Sequence, residues 1–258
     1  MGQGLHTKML AVCAHELGVA LEKIRLMPTA TDKVPNTSAT AASSGSDLNG
    51  MAVQRACAEL RERVRPLAAE LLGGVAPESV CFAAGGVHGP NGGSVAWSEL
   101  AKAAWMRRIS LSAAGYYATP GIAYDRAAGR GKPFHYFAYG AAVVEVELSG
   151  LTGEHRVRRV DIVHDVGKSL VPTIDRGQIE GGFIQGMGWL TCEEVIADAK
   201  GRVVTHGPST YKIPAIGDCP EDFRVTLLGR ADQDGTIHGS KAVGEPPFML
   251  ALAVVPAL

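Results

Sequence analysis

The sequence predicts an α+β fold, and two kinds of pattern support this prediction. The segments His135–Leu148 and Arg156–Val166 alternate apolar and charged residues with the period of two that is typical of half-buried strands, and Ser149–Gly153 supplies the turn of a hairpin. Elsewhere, apolar residues recur at helical spacing. Because strands and helices do not alternate regularly, we expect mixed helices and antiparallel hairpins rather than a doubly wound sheet.

The first part of the chain is predicted to contain two helices separated by a polar stretch. Helical spacing covers residues 5–17, and a short strand is expected at 24–27. Small and hydroxyl-bearing residues dominate positions 35–47. This stretch fits either a flexible linker or a loop that holds a phosphate or polar cofactor ahead of a helix. A long helix should follow, with Ser46 or Asp47 as its N-cap.

The remaining elements are predicted from shorter signals. Residues 73–97 are rich in glycine and proline, and we expect them to form a surface excursion with a short strand at 80–83. A helix is predicted at 97–108 and a second hairpin turn at 198–201. A further strand should lie at 223–228.

Composition and charge restrict the classes of function. The chain has 258 residues, of which 46% are hydrophobic, and its net charge of -1 predicts neither a nucleic-acid nor a membrane partner. Its five cysteines are scattered and form no Cys-x-x-Cys, which indicates reduced thiols in a cytoplasmic protein rather than a disulfide framework or a zinc site. The sequence contains neither a signal peptide nor an apolar span of about 20 residues.

A glycine-rich helix is predicted over residues 172–188, where five glycines fall between Gly177 and Gly188. Each glycine in a helix interior costs about 1 kcal/mol relative to alanine. A helix that retains them should lie against another backbone or against a flat ligand, and close helix packing is the favoured interpretation. Gln178 and Gln185 should share a face with Gly182.

Glu245 lies between a glycine and two prolines, directly before an apolar run. Proline is tolerated in the first helical turn, so a helix should begin near Pro246 and bury Phe248, Met249 and Leu252. At such a position the helix dipole favours the ionised carboxylate and burial favours the protonated form. Glu245 is therefore either a helix cap or a general base poised near neutrality.

Other catalytic devices are absent from the sequence. It has no Gly-x-Ser-x-Gly elbow, no Walker loop and no Rossmann glycine signature followed by a well-placed acid. Its eight histidines show no metal-ligand spacing. His164 and Asp165 are adjacent, but neighbours on a strand point to opposite faces, so we interpret this pair as structural.

Six motifs in order carry a family resemblance: Met1–Lys8, Thr40–Ser43, Phe137–Ala141, Gln178–Gly188, Gly207–Pro214 and Lys241–Pro247. Together they resemble the C-terminal part of the molybdenum-binding subunit of xanthine dehydrogenase, in the xanthine oxidase/aldehyde oxidase family. The resemblance covers nearly all of the chain except about 73–97. It implies that residues 1–258 are part of a molybdopterin-binding domain from a longer subunit.

The resemblance also implies roles for individual residues. Cofactor-contacting positions would be Gln3, Thr40, Ser43 and Gln178, and the substrate site would be lined by Ala41 and Ala42. The family's metal is held by two pterin sulfurs, so no side chain is expected to ligate it. Glu245 matches the catalytic base, which takes the proton from a molybdenum-bound hydroxyl that attacks an electron-poor carbon of the heterocycle. Gly45 departs from some relatives, which carry a serine there, and this removes one expected cofactor hydrogen bond.

The implied function is oxidation of hypoxanthine or xanthine by a molybdenum hydroxylase. FAD and 2Fe-2S centres are expected on other domains or subunits, giving a hetero-oligomer. The resemblance implies an upstream molybdenum-binding portion that these residues do not include, so we expect this chain to be inactive alone. Three alternatives stay open: an oxidoreductase for aldehydes or other N-heterocycles, an inactive remnant, and a glycine-rich small-molecule binding module.

Overall fold

The α+β prediction is confirmed by a computed structural model, which describes residues 2–33, 40–41 and 43–258 and combines helices with antiparallel hairpins and one mixed sheet. The chain forms two compact units, Met1–His135 and Tyr136–Leu258. Within the described residues, no helix is long and apolar enough to cross a membrane. We describe each unit by itself.

Two parallel helices begin the first unit, α1 (Leu5–Leu17) and α2 (Gly45–Leu71). Their contacts advance in the same direction along both helices. Leu5 packs on Gly45, where an added Cβ would lie 2.8 Å from the leucine Cδ2, and farther along both helices Arg61 pairs with Glu16 at 3.0 Å. The helix starts therefore lie at the same end of the pair.

The predicted strand at 24–27 is wrong. A 3₁₀ helix at Leu21–Lys23 is followed by irregular backbone, and these residues pair with no strand. A strand needs a partner to satisfy its backbone groups, and a local apolar run does not provide one. The N-cap prediction is also corrected, because α2 begins at Gly45 with Ser44 as its N-cap.

The core of the first unit lies between α2, a shorter helix and a small antiparallel sheet. This sheet contains β1 (Cys81–Ala83), β2 (Gly86–His88) and β3 (Ser94–Ala96), after a 3₁₀ helix at Pro77–Ser79, and it leads into α3 (Trp97–Met106). Val87 is fully buried together with Val64 and Leu100. The segment 73–97 thus contributes apolar residues to a core. An exposed hairpin, β4 (Ala123–Asp125) and β5 (Arg130–Lys132), completes the unit.

A three-stranded sheet and one helix organise the second unit. The predicted hairpin is confirmed as β6 (Gly140–Leu148) and β7 (His155–His164), with a bulge between Glu145 and Val146. The strand predicted at 223–228 is β8 (Asp222–Leu227), but it pairs parallel to β7. Parallel pairing needs a long crossover, and the chain between β7 and β8 contains the helix α4 (Pro172–Thr191).

One side of α4 covers the sheet, and another receives a backbone segment. Ile179, Phe183 and Met187 are buried in the cluster that includes Val160 and Ile162 of β7. On the other side, Gly182 and Gly186 contact the 3₁₀ helix Pro246–Ala253, which continues into α5 (Val254–Ala257). Two short 3₁₀ helices, Ile216–Asp218 and Ile237–Gly239, lie in the intervening loops. The favoured interpretation of the glycine-rich helix, close helix packing, is confirmed at Gly182 and Gly186, whereas an added Cβ at Gly177 or Gly181 would meet nothing within 4 Å.

The helix predicted after Glu245 begins at Pro246 as expected, but it is a 3₁₀ helix and its buried face was predicted wrongly. Phe248 is half-buried and stacks on Trp189 of α4, but Met249 and Leu252 are 53% and 45% exposed, whereas Ala251 is fully buried. The reason is steric. Gly186 lets the segment approach so closely that only a small side chain fits, and Ala251 occupies this position.

We expect Gly186→Ala to destabilise the protein by about 1–3 kcal/mol, because overpacking at a close backbone contact forces strain. The added Cβ would lie 2.4 Å from the Phe248 carbonyl oxygen and 2.8 Å from the Ala251 Cβ. Urea unfolding measures the change in the free energy of unfolding.

The matched control is Gly181→Ala in the same helix, where an added Cβ meets nothing within 4 Å. Helix propensity predicts a gain of up to about 1 kcal/mol there. Equal effects of the two substitutions would contradict the packing explanation.

Candidate functional site

The first-unit candidates lie at the starts of α1 and α2. Gln3 is half-buried and directly precedes Gly4, the N-cap of α1. Thr40 and Ala41 are exposed, and Ser43 is half-buried two residues before α2. Ala42, the other expected substrate-lining residue, lies outside the described residues. The structure thus places Gln3, Thr40 and Ser43 beside two helix N-termini.

These two N-termini converge, because the Gly45 position contacts both Leu5 and the Thr40 methyl group, the latter 3.1 Å from an added Cβ. Each helix start carries N–H groups that have no partner within the helix, and a partial positive charge. Parallel neighbours place these charges side by side, which favours an anion at that end. A turn at Ser43 leads into α2. The φ angle of Ser43 is +52°, and the Ser44 hydroxyl donates a hydrogen bond to the Ala41 carbonyl at 2.9 Å.

In the second unit, α4 brings Gln178 and the Glu245 segment together. Gln178 is half-buried one turn before Gly182, and an added Cβ at Gly182 would lie 3.2 Å from the Gly244 carbonyl oxygen. Glu245 is the N-cap residue of the 3₁₀ helix and is exposed to solvent. The side chains expected to bind cofactor and to accept a proton are therefore positioned by one backbone contact.

A buried ion pair fixes the chain just before Glu245. Lys241 Nζ pairs with Asp165 Oδ2, with the two side chains only 7% and 3% exposed. Lys241 Nζ also donates to the Phe137 carbonyl at 3.0 Å and lies 5.8 Å from the centre of the Tyr139 ring. Because a buried charge must be compensated, these partners fix the position of the Lys241 side chain.

Backbone hydrogen bonds hold the same segment to the end of β7. The Lys241 N–H donates to the Val166 carbonyl and the Lys168 N–H to the Gly239 carbonyl, both at 2.8 Å. The Ala242 N–H donates to the Tyr136 hydroxyl at 2.7 Å. Glu245 thus follows a segment that both main-chain and side-chain contacts hold in place.

Sequence reasoning assigned no role to Lys241 and read Asp165 with His164 as structural. The sequence gives only a weak indication that Lys241 is important, which is that it is the one Lys, Arg, Asp or Glu residue between positions 235 and 244. Its partner is 76 residues away, which local patterns do not reveal. His164 is 1% exposed, and burial lowers its pKa despite the opposing effects of the Asp165 backbone and charge. This fits the structural interpretation of the histidine.

A cavity of about 800 Å³ lies elsewhere in the second unit, between the β6–β7 turn and the end of α4. Its lining includes Arg156, Arg158, Thr191 and Asp218 but neither Gln178 nor Glu245. It is therefore separate from the residues that the sequence motifs single out.

Comparison with known proteins identifies the family. A family described as the molybdopterin cofactor-binding domain matches residues 1–220. The chain belongs to this family. The resemblance noted from the six motifs is confirmed, and the family description supports the expected molybdopterin cofactor.

Relatives of this molybdopterin-binding domain are much longer proteins. Xanthine dehydrogenase of Dictyostelium discoideum is 46% identical over 257 residues, which are 98% of this chain and 17% of that protein. Xanthine dehydrogenase/oxidase of Gallus gallus is 46% identical over 258 residues, 100% of this chain and 18% of that protein. The chain thus spans less than a fifth of the length of these relatives.

Solved structures share the fold over nearly the whole domain. Quinoline 2-oxidoreductase from Pseudomonas putida 86 superposes with a TM-score of 0.81 at 29% identity, covering 99% of this chain and 32% of that chain. The Cu,Mo-CO dehydrogenase gives 0.82 at 22% identity, covering 99% and 31%, which supports the fold alone.

We expect Lys241→Met to destabilise the protein by about 3–5 kcal/mol, because it leaves the Asp165 carboxylate buried without its cation. Adding Asp165→Asn should recover much of this loss, since asparagine keeps the acceptor for the Gly167 N–H, now 2.8 Å from Asp165 Oδ1. Chemical denaturation of the single and double variants measures the coupling.

Arg107→Gln is the matched control, because Arg107 and Glu70 pair at the surface with side chains 50% and 58% exposed. Exposed pairs contribute little, so this variant should unfold like the parent. A similar loss in both single variants, or no recovery in the double variant, would contradict the role of the buried pair.

Proposed function

We propose that this domain is the C-terminal part of the molybdenum-binding portion of a hydroxylase that oxidises hypoxanthine or xanthine. The observation that carries the proposal is Glu245, at the start of a 3₁₀ helix docked against the face of α4 one turn from Gln178. The names of relatives at 46% identity support a purine substrate.

The residues of this chain fit a pterin cofactor. Its phosphate would suit the converging N-termini of α1 and α2, where N–H groups and helix dipoles favour an anion. Gln3 and Gln178 offer amides, which donate and accept, and Thr40 and Ser43 offer hydroxyls. Because the family's metal is bound through pterin sulfurs, the absence of a Cys/His ligand motif from the sequence is compatible with this cofactor.

When bound, the molybdenum–pterin group would supply the two-electron redox centre for hydroxylation. Glu245 would accept a proton at its carboxylate and hold it while the substrate carbon is oxidised. The buried Lys241–Asp165 pair would limit the movement of this carboxylate. Ala41 and Ala42 would leave space for a flat ring, because their side chains are small.

The larger assembly is also part of the proposal. FAD and 2Fe-2S centres on other domains or subunits would carry electrons away, and the portion of the relatives that this chain does not span would complete the molybdenum site. We propose a hetero-oligomer in the cytoplasm, which fits five cysteines that are all free thiols in this structure. This chain would be inactive alone.

A second candidate substrate class is an aldehyde or another N-heterocycle. The similarity at 29% identity to a quinoline 2-oxidoreductase favours keeping this candidate. Both classes can be assayed on the full-length protein by supplying hypoxanthine, xanthine, quinoline and an aromatic aldehyde and measuring the hydroxylated products. Turnover of quinoline or aldehyde but not of purines would replace the proposed substrate.

Metal analysis tests cofactor binding. This chain would be purified alone and after co-expression with the upstream portion of its protein. Molybdenum near one equivalent only in the co-expressed sample would support the proposal. Its absence from both samples would favour an inactive remnant and make Glu245 a helix cap.

We expect Glu245→Gln to abolish most turnover in the full-length protein, because an amide does not accept the proton, while molybdenum content stays unchanged. A general base contributes about 10²–10⁴-fold, so kcat should fall within this range. Steady-state kinetics with parallel metal analysis measure both properties.

Glu194→Gln is the control for charge, since Glu194 is also exposed and lies in the same unit. Its turnover should match the parent enzyme. Near-normal kcat in Glu245→Gln would remove Glu245 from the role of base.

We expect Gln178→Ala to weaken cofactor retention, because it removes an amide beside the proposed pterin position. The molybdenum content of the purified full-length protein should fall below that of the parent. Gln185→Ala is the matched control, since Gln185 is an exposed glutamine two turns farther along α4. Equal molybdenum content in all three proteins would exclude the Gln178 contact.

A further inference from the structure

Two cysteines face each other where α1 packs on α2. The Cys57 S–H donates to Cys13 Sγ across 3.9 Å. Cys13 is half-buried and Cys57 is only 6% exposed, so Cys13 is the more accessible residue of the pair. The two residues are 44 positions apart in the chain, and nothing in their sequence spacing indicates the contact.

The parallel packing of the helices keeps this pair together. On the next turn, Glu16 is 5% exposed and pairs with Arg61 at 3.0 Å, and Gln54 donates to the same carboxylate at 3.0 Å. The Glu16–Arg61 pair holds α1 against α2 on the C-terminal side of the thiols, and Leu5 against Gly45 holds the N-terminal side. The sulfurs are therefore constrained from both directions.

The environment makes the two thiols unequal. The hydrogen bond from Cys57 lowers the pKa of Cys13 to about 7, against the opposing effects of burial and of the Glu16 charge. The same hydrogen bond and burial raise the pKa of Cys57. Cys13 is thus the thiol that ionises more readily, while Cys57 keeps its proton. An accessible thiolate beside a protonated thiol is the arrangement of an attacking and a resolving cysteine.

We propose that Cys13 and Cys57 are a modification site that a hydroperoxide converts into a reversible disulfide joining α1 to α2. The sulfurs must close from 3.9 Å to a bond of about 2.05 Å, a movement within reach of side-chain rotation and a small helix shift. The proposal uses none of the residues assigned to cofactor or substrate and does not depend on the proposed function.

The chemistry balances in two steps. The Cys13 thiolate attacks one peroxide oxygen, the O–O bond breaks, and a sulfenic acid and hydroxide form. The Cys57 sulfur then attacks the Cys13 sulfur, the S–O bond breaks, and the departing oxygen leaves as water with the Cys57 proton. The hydroxide takes up the proton that Cys13 lost when it ionised, so in total the two thiols lose two electrons and two protons, and hydrogen peroxide is reduced to two waters.

The disulfide would act on the helices that carry the cofactor candidates. Cys13 lies eight residues after Leu5 and Cys57 twelve after Gly45, so the link would sit about 12–18 Å from the converging helix starts at 1.5 Å per residue. It would close a covalent loop containing the whole connection between α1 and α2. Sliding of one helix along the other would then be restricted.

The test uses the full-length protein. It is treated with hydrogen peroxide under native conditions, quenched with N-ethylmaleimide, digested without reductant and mapped by mass spectrometry. We expect one linked peptide pair containing Cys13 and Cys57, lighter by two hydrogen atoms and separated by dithiothreitol. Hydrogen exchange of α1 amides should slow in the oxidised protein. Alkylation of both cysteines after peroxide treatment, or a link to another cysteine, would overturn the proposal.

Two variants identify the roles of the thiols. In Cys57→Ala the resolving thiol is gone, so a dimedone adduct should accumulate on Cys13. Loss of the hydrogen bond should also slow its alkylation at pH 7 by roughly five- to eightfold, because the lower thiolate content outweighs the higher nucleophilicity. Cys81→Ser, an exposed cysteine in the same unit, should leave disulfide formation unchanged. Unchanged alkylation and no dimedone adduct in Cys57→Ala would also overturn the proposal.

Discussion

The buried ion pair between Lys241 and Asp165 is the constraint on which the candidate site of the second unit depends. Neither charge is stable there without the other, because desolvation makes an isolated buried charge very costly. Lys241 precedes Glu245 by four residues. Fixing the position of Lys241 therefore limits how far the Glu245 carboxylate can move. The anchor is the end of β7, and the position of Glu245 is thereby tied to the sheet.

The glycine-rich helix explains how the same segment is held from its other side. α4 keeps glycines that weaken it as an isolated helix, and Gly182 and Gly186 lie where the backbone from Gly244 to Ala251 approaches. Close approach lets Ala251 become fully buried against a helix whose other side packs on the sheet. Tertiary packing thus outweighs intrinsic propensity, since most helical stability in proteins comes from packing.

In the first unit, the candidate site depends on the parallel packing of α1 and α2. Their dipoles then add at one end, and the N–H groups at the starts of α1 and α2 gather beside Gln3, Thr40 and Ser43. The interface that enforces this arrangement contains a buried carboxylate, an arginine and two thiols. The contacts that align the helix starts are the contacts that bring Cys13 next to Cys57.

The sequence by itself determined the α+β class, the β6–β7 hairpin, the glycine-rich helix and the family, because each can be recognised from local periodicity or from ordered motifs. Tertiary structure alone decided that residues 24–27 form no strand, that β8 pairs parallel to β7, and that Ala251 rather than Leu252 is buried. It also decided the Lys241–Asp165 and Cys13–Cys57 pairs. Local patterns report which face of an element is apolar. Partner choice depends on steric fit and charge compensation between residues far apart in the chain, and these interactions leave no local periodicity.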